Sequence, residues 1–101
     1  MNPKIDLDKI NIALFCAKWD IAEFSFFGSV LRDDFNDASD IDVLVRFAPS
    51  AHWSLFDFME MREELHDKFG REVDLIEKDG IRNPYRRHEI LTTRRIVYAH
   101  G

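Results

Sequence analysis

Residues 28–42 read GSVLRDDFNDASDID, and where this stretch breaks decides the fold. It opens on Gly28-Ser29, which cut off a Phe-rich run, Ile21 to Phe27, that reads as a strand. It closes on Ser39-Asp40-Ile41-Asp42, which leads into the clearest strand of the chain, Ile41 to Phe47. There Ile41, Val43, Val45 and Phe47 point one way and Asp42, Leu44 and Arg46 the other. Between the two strands, Val30 to Phe35 reads as a short helix and Asn36 to Ser39 as a turn.

Outward from this stretch the pattern alternates. Asp8 to about Trp19 reads as a helix with Ile10, Leu14 and Ala17 at helical spacing and Asp6 or Asp8 as its cap. Ser54-Leu55-Phe56-Asp57 is a capping-box pattern, opening a helix that runs to about Phe69 and stops at Gly70. Leu55, Phe58, Met61, Leu65 and Phe69 form its expected apolar stripe, with Glu64 spaced to pair with Lys68. Glu72 to Ile76 reads as a third strand and Asp79-Gly80 as a turn. Pro84 opens a basic helix to about Thr93, and Ile96 to Tyr98 reads as a last short strand. The expected fold is α+β (α/β), a small mixed sheet with helices packed against it, in one domain over residues 1–101.

Composition narrows the function. A chain of 101 residues buries only part of its unfolded surface, so a partner or a self-associated oligomer would add stability. A hydrophobic content of 46 % with nine Phe is enough for a core. The single Cys16 leaves no internal disulfide, and no long apolar run reads as a membrane span, so the expectation is a cytoplasmic protein with no membrane contact. The net charge of −5 disfavours direct nucleic-acid binding. That charge is uneven: residues 1–81 carry nine Lys/Arg against eighteen Asp/Glu, net −9, and residues 82–101 carry five Arg against one Glu, net +4. An acidic body can take cations and a basic tail phosphates or an acidic partner.

The chemistry centres on acids. Asp40 and Asp42, two apart on a strand, share a face, and their repulsion makes a cation between them the favourable arrangement. Magnesium takes such hard oxygen ligands together with substrate phosphates. Asp74 stands in the apolar run Val73-Asp74-Leu75, where an acid inside a core strand is costly unless paired or metal-bound. If its strand lies beside Ile41–Phe47, three carboxylates can hold two divalent ions roughly 3.5–4 Å apart, the spacing of in-line phosphoryl displacement. Gly28 lets backbone approach a phosphate closely, and Ser29 can donate to it. The lysine and long glycine spacing of a P-loop are missing. The four His are scattered without zinc spacing, and Cys16 and the Phe-rich strand read as core.

Gly28-Ser29, Arg32, Ser39-Asp40-Ile41-Asp42 and the later Val73-Asp74-Leu75 together resemble the minimal nucleotidyltransferases of the DNA polymerase β superfamily. The similarity extends over Trp53 to Asp57 and Asn83-Pro84-Tyr85, and is greatest to the antitoxins paired with HEPN ribonuclease toxins. The resemblance implies transfer of AMP from ATP, with two magnesium ions, onto a tyrosine of a HEPN toxin. It implies Asp40 and Asp42 on one ion, Asp42 and Asp74 on the other, and Gly28 and Ser29 on the β- and γ-phosphates. Arg32 is open to two roles, a phosphate contact or a salt bridge to Asp37 or Asp40, and Ser39 fits a turn cap better than a substrate contact. Many relatives have Gly where this chain has Asp33, an added charge that either faces solvent or weakens ATP binding. Three other readings stand beside transfer to a toxin: a binding module that silences its partner by contact through Arg82, Arg86, Arg87, Arg94 and Arg95, a transferase acting on a small molecule, and a template-independent polymerase on RNA ends. The short chain disfavours the second and the acidic body the third.

Overall fold

The computed structural model describes residues 11–31 and 40–100, with backbone only at Ser29 and Val30. The elements run α1 (Ile12–Lys18), β1 (Ile21–Phe27), a 3-10 turn (Gly28–Leu31), β2 (Ile41–Phe47), α2 (Leu55–Phe69), β3 (Val73–Glu77), a second 3-10 turn (Lys78–Gly80), α3 (Pro84–Thr93) and β4 (Arg95–Ala99). The four strands form one mixed sheet in the order β3-β2-β1-β4. β1 is antiparallel to both β2 and β4, whereas β2 and β3 are parallel. The parallel pair requires a crossover, which α2 supplies.

Strand alternation sends two sets of side chains to two helical layers. On one face Phe24 and Phe26 of β1, Ile41, Val43 and Val45 of β2, and Val73 and Leu75 of β3 form the main core. Ile12, Phe15 and Cys16 of α1 and Met61 and Leu65 of α2 close over it. On the other face Phe27 and Leu44 meet Ile90 of α3, flanked by Ile76, Ile81 and Leu91. Both faces of the sheet centre are therefore covered, and Leu44, which points the same way as Asp42 and Arg46, is 1 % exposed.

Caps set the helix ends. Ser54 Oγ accepts from the Asp57 N–H at 3.2 Å and Asp57 Oδ2 accepts from the Ser54 N–H at 2.9 Å, the reciprocal capping box expected from sequence. Gly70 ends α2 in the left-handed region at φ +69°. Asn83 caps α3 through the Tyr85 and Arg86 N–H groups, with Pro84 following.

Several expectations are corrected. α1 starts at Ile12 because the Asn11 side chain caps it, accepting from the Leu14 N–H; Asp6, Asp8 and Ile10 lie outside the described residues. Its buried face is Ile12, Phe15 and Cys16, and Leu14 is 67 % exposed. Leu55 is likewise exposed, and the buried stripe is Met61 and Leu65. Glu64 pairs with Lys18 across the two helices at 2.6 Å, not with Lys68. Val30–Phe35 is represented by one 3-10 turn ending at Leu31; the rest of that predicted helix and the 36–39 turn lie outside the described residues.

Cys16 is 1 % exposed, and burial pushes its thiol from 9.0 up to about 12 by disfavouring the thiolate. The folded state thus keeps its proton while the unfolded chain loses it, so stability falls as pH rises above about 9. A thiol-alkylating reagent at pH 8 is expected to modify the native protein only as fast as it unfolds; rapid stoichiometric modification of the folded chain would contradict this burial. Among the described residues, no helix is long and apolar enough to cross a membrane.

Candidate active site

The strand directions bring the expected residues to one end of the sheet. β1 finishes where β2 and β3 begin, since it runs antiparallel to β2 and β2 runs parallel to β3. In register, Phe27 of β1 stands beside Asp42 of β2, and Asp42 beside Asp74 of β3. Asp42 and Asp74 therefore occupy neighbouring positions on one face, about one strand spacing of ~4.8 Å apart. That face is the one α3 covers, because Leu44 and Ile76, two residues further along each strand, belong to the Ile90 cluster.

Gly28 locks against Asp42 of this pair. Its φ is +70°, and a Cβ built there would run into the Asp42 carboxylate, with Cγ at 3.2 Å. Glycine is required twice over, for the backbone conformation and for the space. Asp42 is half-buried under this contact, whereas Asp40, one residue before β2, and Asp74 are exposed. Asp74 thus escapes the burial cost expected of an acid in a core strand: β3 is an edge strand, and its start is open to solvent.

Among the described residues, no three His, Cys, Asp or Glu side chains converge into a ready-made metal nest. Asp42 and Asp74 are a pair aligned by backbone register, with Asp40 at its margin. The donors available are carboxylate oxygens beside a close-approach glycine, which is the set that magnesium and its phosphate ligands take. Arg32, Asp33 and Ser39 lie outside the described residues, as do the side-chain contacts of Ser29.

Sequence reasoning missed the cavity beyond Gly28. It measures about 490 Å³ and is bounded by Phe27, Gly28 and Leu31 on one side and by Arg86, Glu89, Ile90 and Thr93 of α3 on the other. The signal was present in the spacing: with Ile90 turned to the sheet, Arg86 at i−4 and Thr93 at i+3 flank it on the same side of the helix. The other arginines of this region divide. Arg87 donates to the Lys78 carbonyl at 2.6 Å, and Arg94 pairs with Glu23 at 2.9 Å. Glu23 also lies 3.6 Å from Arg46, its register partner, so Arg94 and Arg46 tie α3 and β2 to β1. Arg82, Arg86 and Arg95 are exposed.

Residues 11–97 match the nucleotidyltransferase domain family. The chain belongs to this family. A Methanocaldococcus jannaschii protein, provisionally named a protein adenylyltransferase, is 37 % identical over 68 residues, covering 67 % of this chain and 68 % of its own. A solved structure described as that of a minimal nucleotidyltransferase superposes with a TM-score of 0.71 at 26 % identity, over 87 % of each chain. A chain in the complex of a tri-AMPylated Shewanella oneidensis HEPN toxin with its MNT antitoxin has the same fold, with a TM-score of 0.67 at 17 % identity over 93 % of this chain and 71 % of that one. This nucleotidyltransferase domain thus has the mixed four-stranded sheet and helices of the minimal fold, with Gly28, Asp42 and Asp74 meeting at one sheet end.

Proposed function

We propose that this nucleotidyltransferase transfers AMP from ATP onto a protein hydroxyl, a tyrosine of a HEPN-type toxin, and so acts as an antitoxin. The observation that carries the reading is the row Asp74, Asp42, Gly28 across the end of three adjacent strands. Such a row suits a substrate whose reacting phosphorus needs carboxylates on one side and close backbone on the other. The named relative and the AMPylated toxin complex favour adenylyl transfer and a protein acceptor.

In this reading Asp40 and Asp42 hold one magnesium ion, and Asp42 and Asp74 hold a second. Bound there, the ions supply charge neutralisation for the triphosphate and a lowered pKa for the attacking hydroxyl. Gly28 and Ser29 receive the β- and γ-phosphates. The acceptor oxygen forms its bond to the α-phosphorus as the bond to the bridging oxygen breaks, and pyrophosphate leaves. Asp74, on the exposed side of the row, accepts the hydroxyl proton.

The test is incubation of the protein with ATP labelled at the α-phosphate, magnesium and a HEPN-type partner. Label on the partner's tyrosine, absent when that tyrosine is replaced by phenylalanine, is the expected result. A stable complex that never acquires label, over a range of magnesium concentrations, would instead mean neutralisation by contact.

A further inference from the structure

We propose that Arg86 of α3 is a further substrate-binding residue, which grips the terminal phosphates of the bound triphosphate and then the departing pyrophosphate. The inference rests on the reading above and adds to it a residue outside the acid and glycine–serine set. Its basis is Gly28, which the acids and the cavity share. Gly28 packs against Asp42, the register partner of Asp74, and it also borders the 490 Å³ cavity, whose other wall carries Arg86. A chain of phosphates with its α-phosphorus at the acids passes Gly28 and places its far end in the cavity. A cavity of this size lies within the range of roughly 300–1,000 Å³ that takes small ligands.

The polar groups bordering the cavity sort themselves. The Thr93 hydroxyl donates to the Glu89 carbonyl at 2.6 Å, so it is already committed. Arg87 of α3 and Arg94, which follows its last residue, are bound to the Lys78 carbonyl and to Glu23. Arg86 makes no ion pair with any described residue, and its planar fork matches phosphate oxygens. Glu89, one turn along, also borders the cavity and has the wrong charge for phosphate. The two side chains therefore carry opposite expectations at one place, which a merely structural role for α3 would not produce.

The experiment measures binding of ATP and of AMP to the chain alone, with magnesium present, by calorimetry. Arg86→Ala is expected to weaken ATP binding about tenfold and to leave AMP binding within about twofold, since charge-assisted bonds to the terminal phosphates are lost. Arg86→Lys should fall between, and Glu89→Gln should tighten ATP binding. Arg82→Ala, exposed and away from the cavity, should match the wild type. Equal ATP affinity in Arg86→Ala and wild type, or equal losses for ATP and AMP, would overturn the assignment while leaving adenylyl transfer intact. A wild-type chain that binds no ATP would remove both.

Discussion

Asp42→Asn is expected to lower transfer of labelled AMP by about three orders of magnitude while leaving the fold in place. Asp42 is the carboxylate common to both sides of the site: its register partners are Phe27, next to Gly28, and Asp74. In the proposed arrangement it is shared by both cations, so its loss removes interactions with the reacting phosphate as well as with the activated hydroxyl. Metal-assisted charge stabilisation contributes several kcal/mol, and each ~1.4 kcal/mol is a factor of ten in rate. Asn keeps the size of Asp, and Asp42 is half-buried at a strand start rather than in the core. A thermal melt within a few degrees of wild type, together with loss of label, separates chemistry from stability. Full transfer by the variant would show that Asp42 is not a metal ligand.

Gly28→Ala is expected to damage both stability and activity, and Gly70→Ala shows how much of each is due to the site. Both glycines sit in the left-handed region, at φ +70° and +69°. At Gly70 a Cβ would meet nothing within 4 Å, so alanine there costs the backbone term alone, about 1–2 kcal/mol. At Gly28 the same term applies and the methyl group also displaces the Asp42 carboxylate. Gly28→Ala should therefore be less stable than Gly70→Ala in chemical denaturation, and its transfer rate should drop about a hundredfold or more while Gly70→Ala stays active. Equal stability and equal activity in the two variants would mean that the Gly28–Asp42 contact does not shape the site.

Much of this architecture was readable from residue pattern, and the failures have physical causes. Strand alternation over Ile41–Phe47 and the Ser54–Asp57 capping box are local signals, and both appear in the structure. The family resemblance, read from Gly28-Ser29 through Asp42 to Asp74, agrees with the domain match over residues 11–97. The errors arise where tertiary context decides. In α1 Leu14 and Ala17, apolar-face positions by sequence spacing, are exposed, and the position of the sheet selects Ile12, Phe15 and Cys16 instead. Glu64 had Lys68 within its own helix, but Lys18 of α1 comes closer across the layer. Asp74 stands between apolar neighbours and is nonetheless exposed, because edge-strand position is a property of sheet order, not of the local run. The role of α3 in closing a cavity over Gly28 was hidden for the same reason: five arginines in the tail look alike until Ile90 fixes the helix phase.

The central claim is that the acids and the glycine–serine turn together bind a metal-loaded triphosphate. Calorimetric titration of magnesium into the protein, in the presence of an ATP analogue with a methylene bridge between its α- and β-phosphates, measures this without turnover. The account predicts uptake of two ions per wild-type chain and near-complete loss of uptake in Asp42→Asn. No uptake by the wild type, or an unchanged titration in the variant, would contradict it.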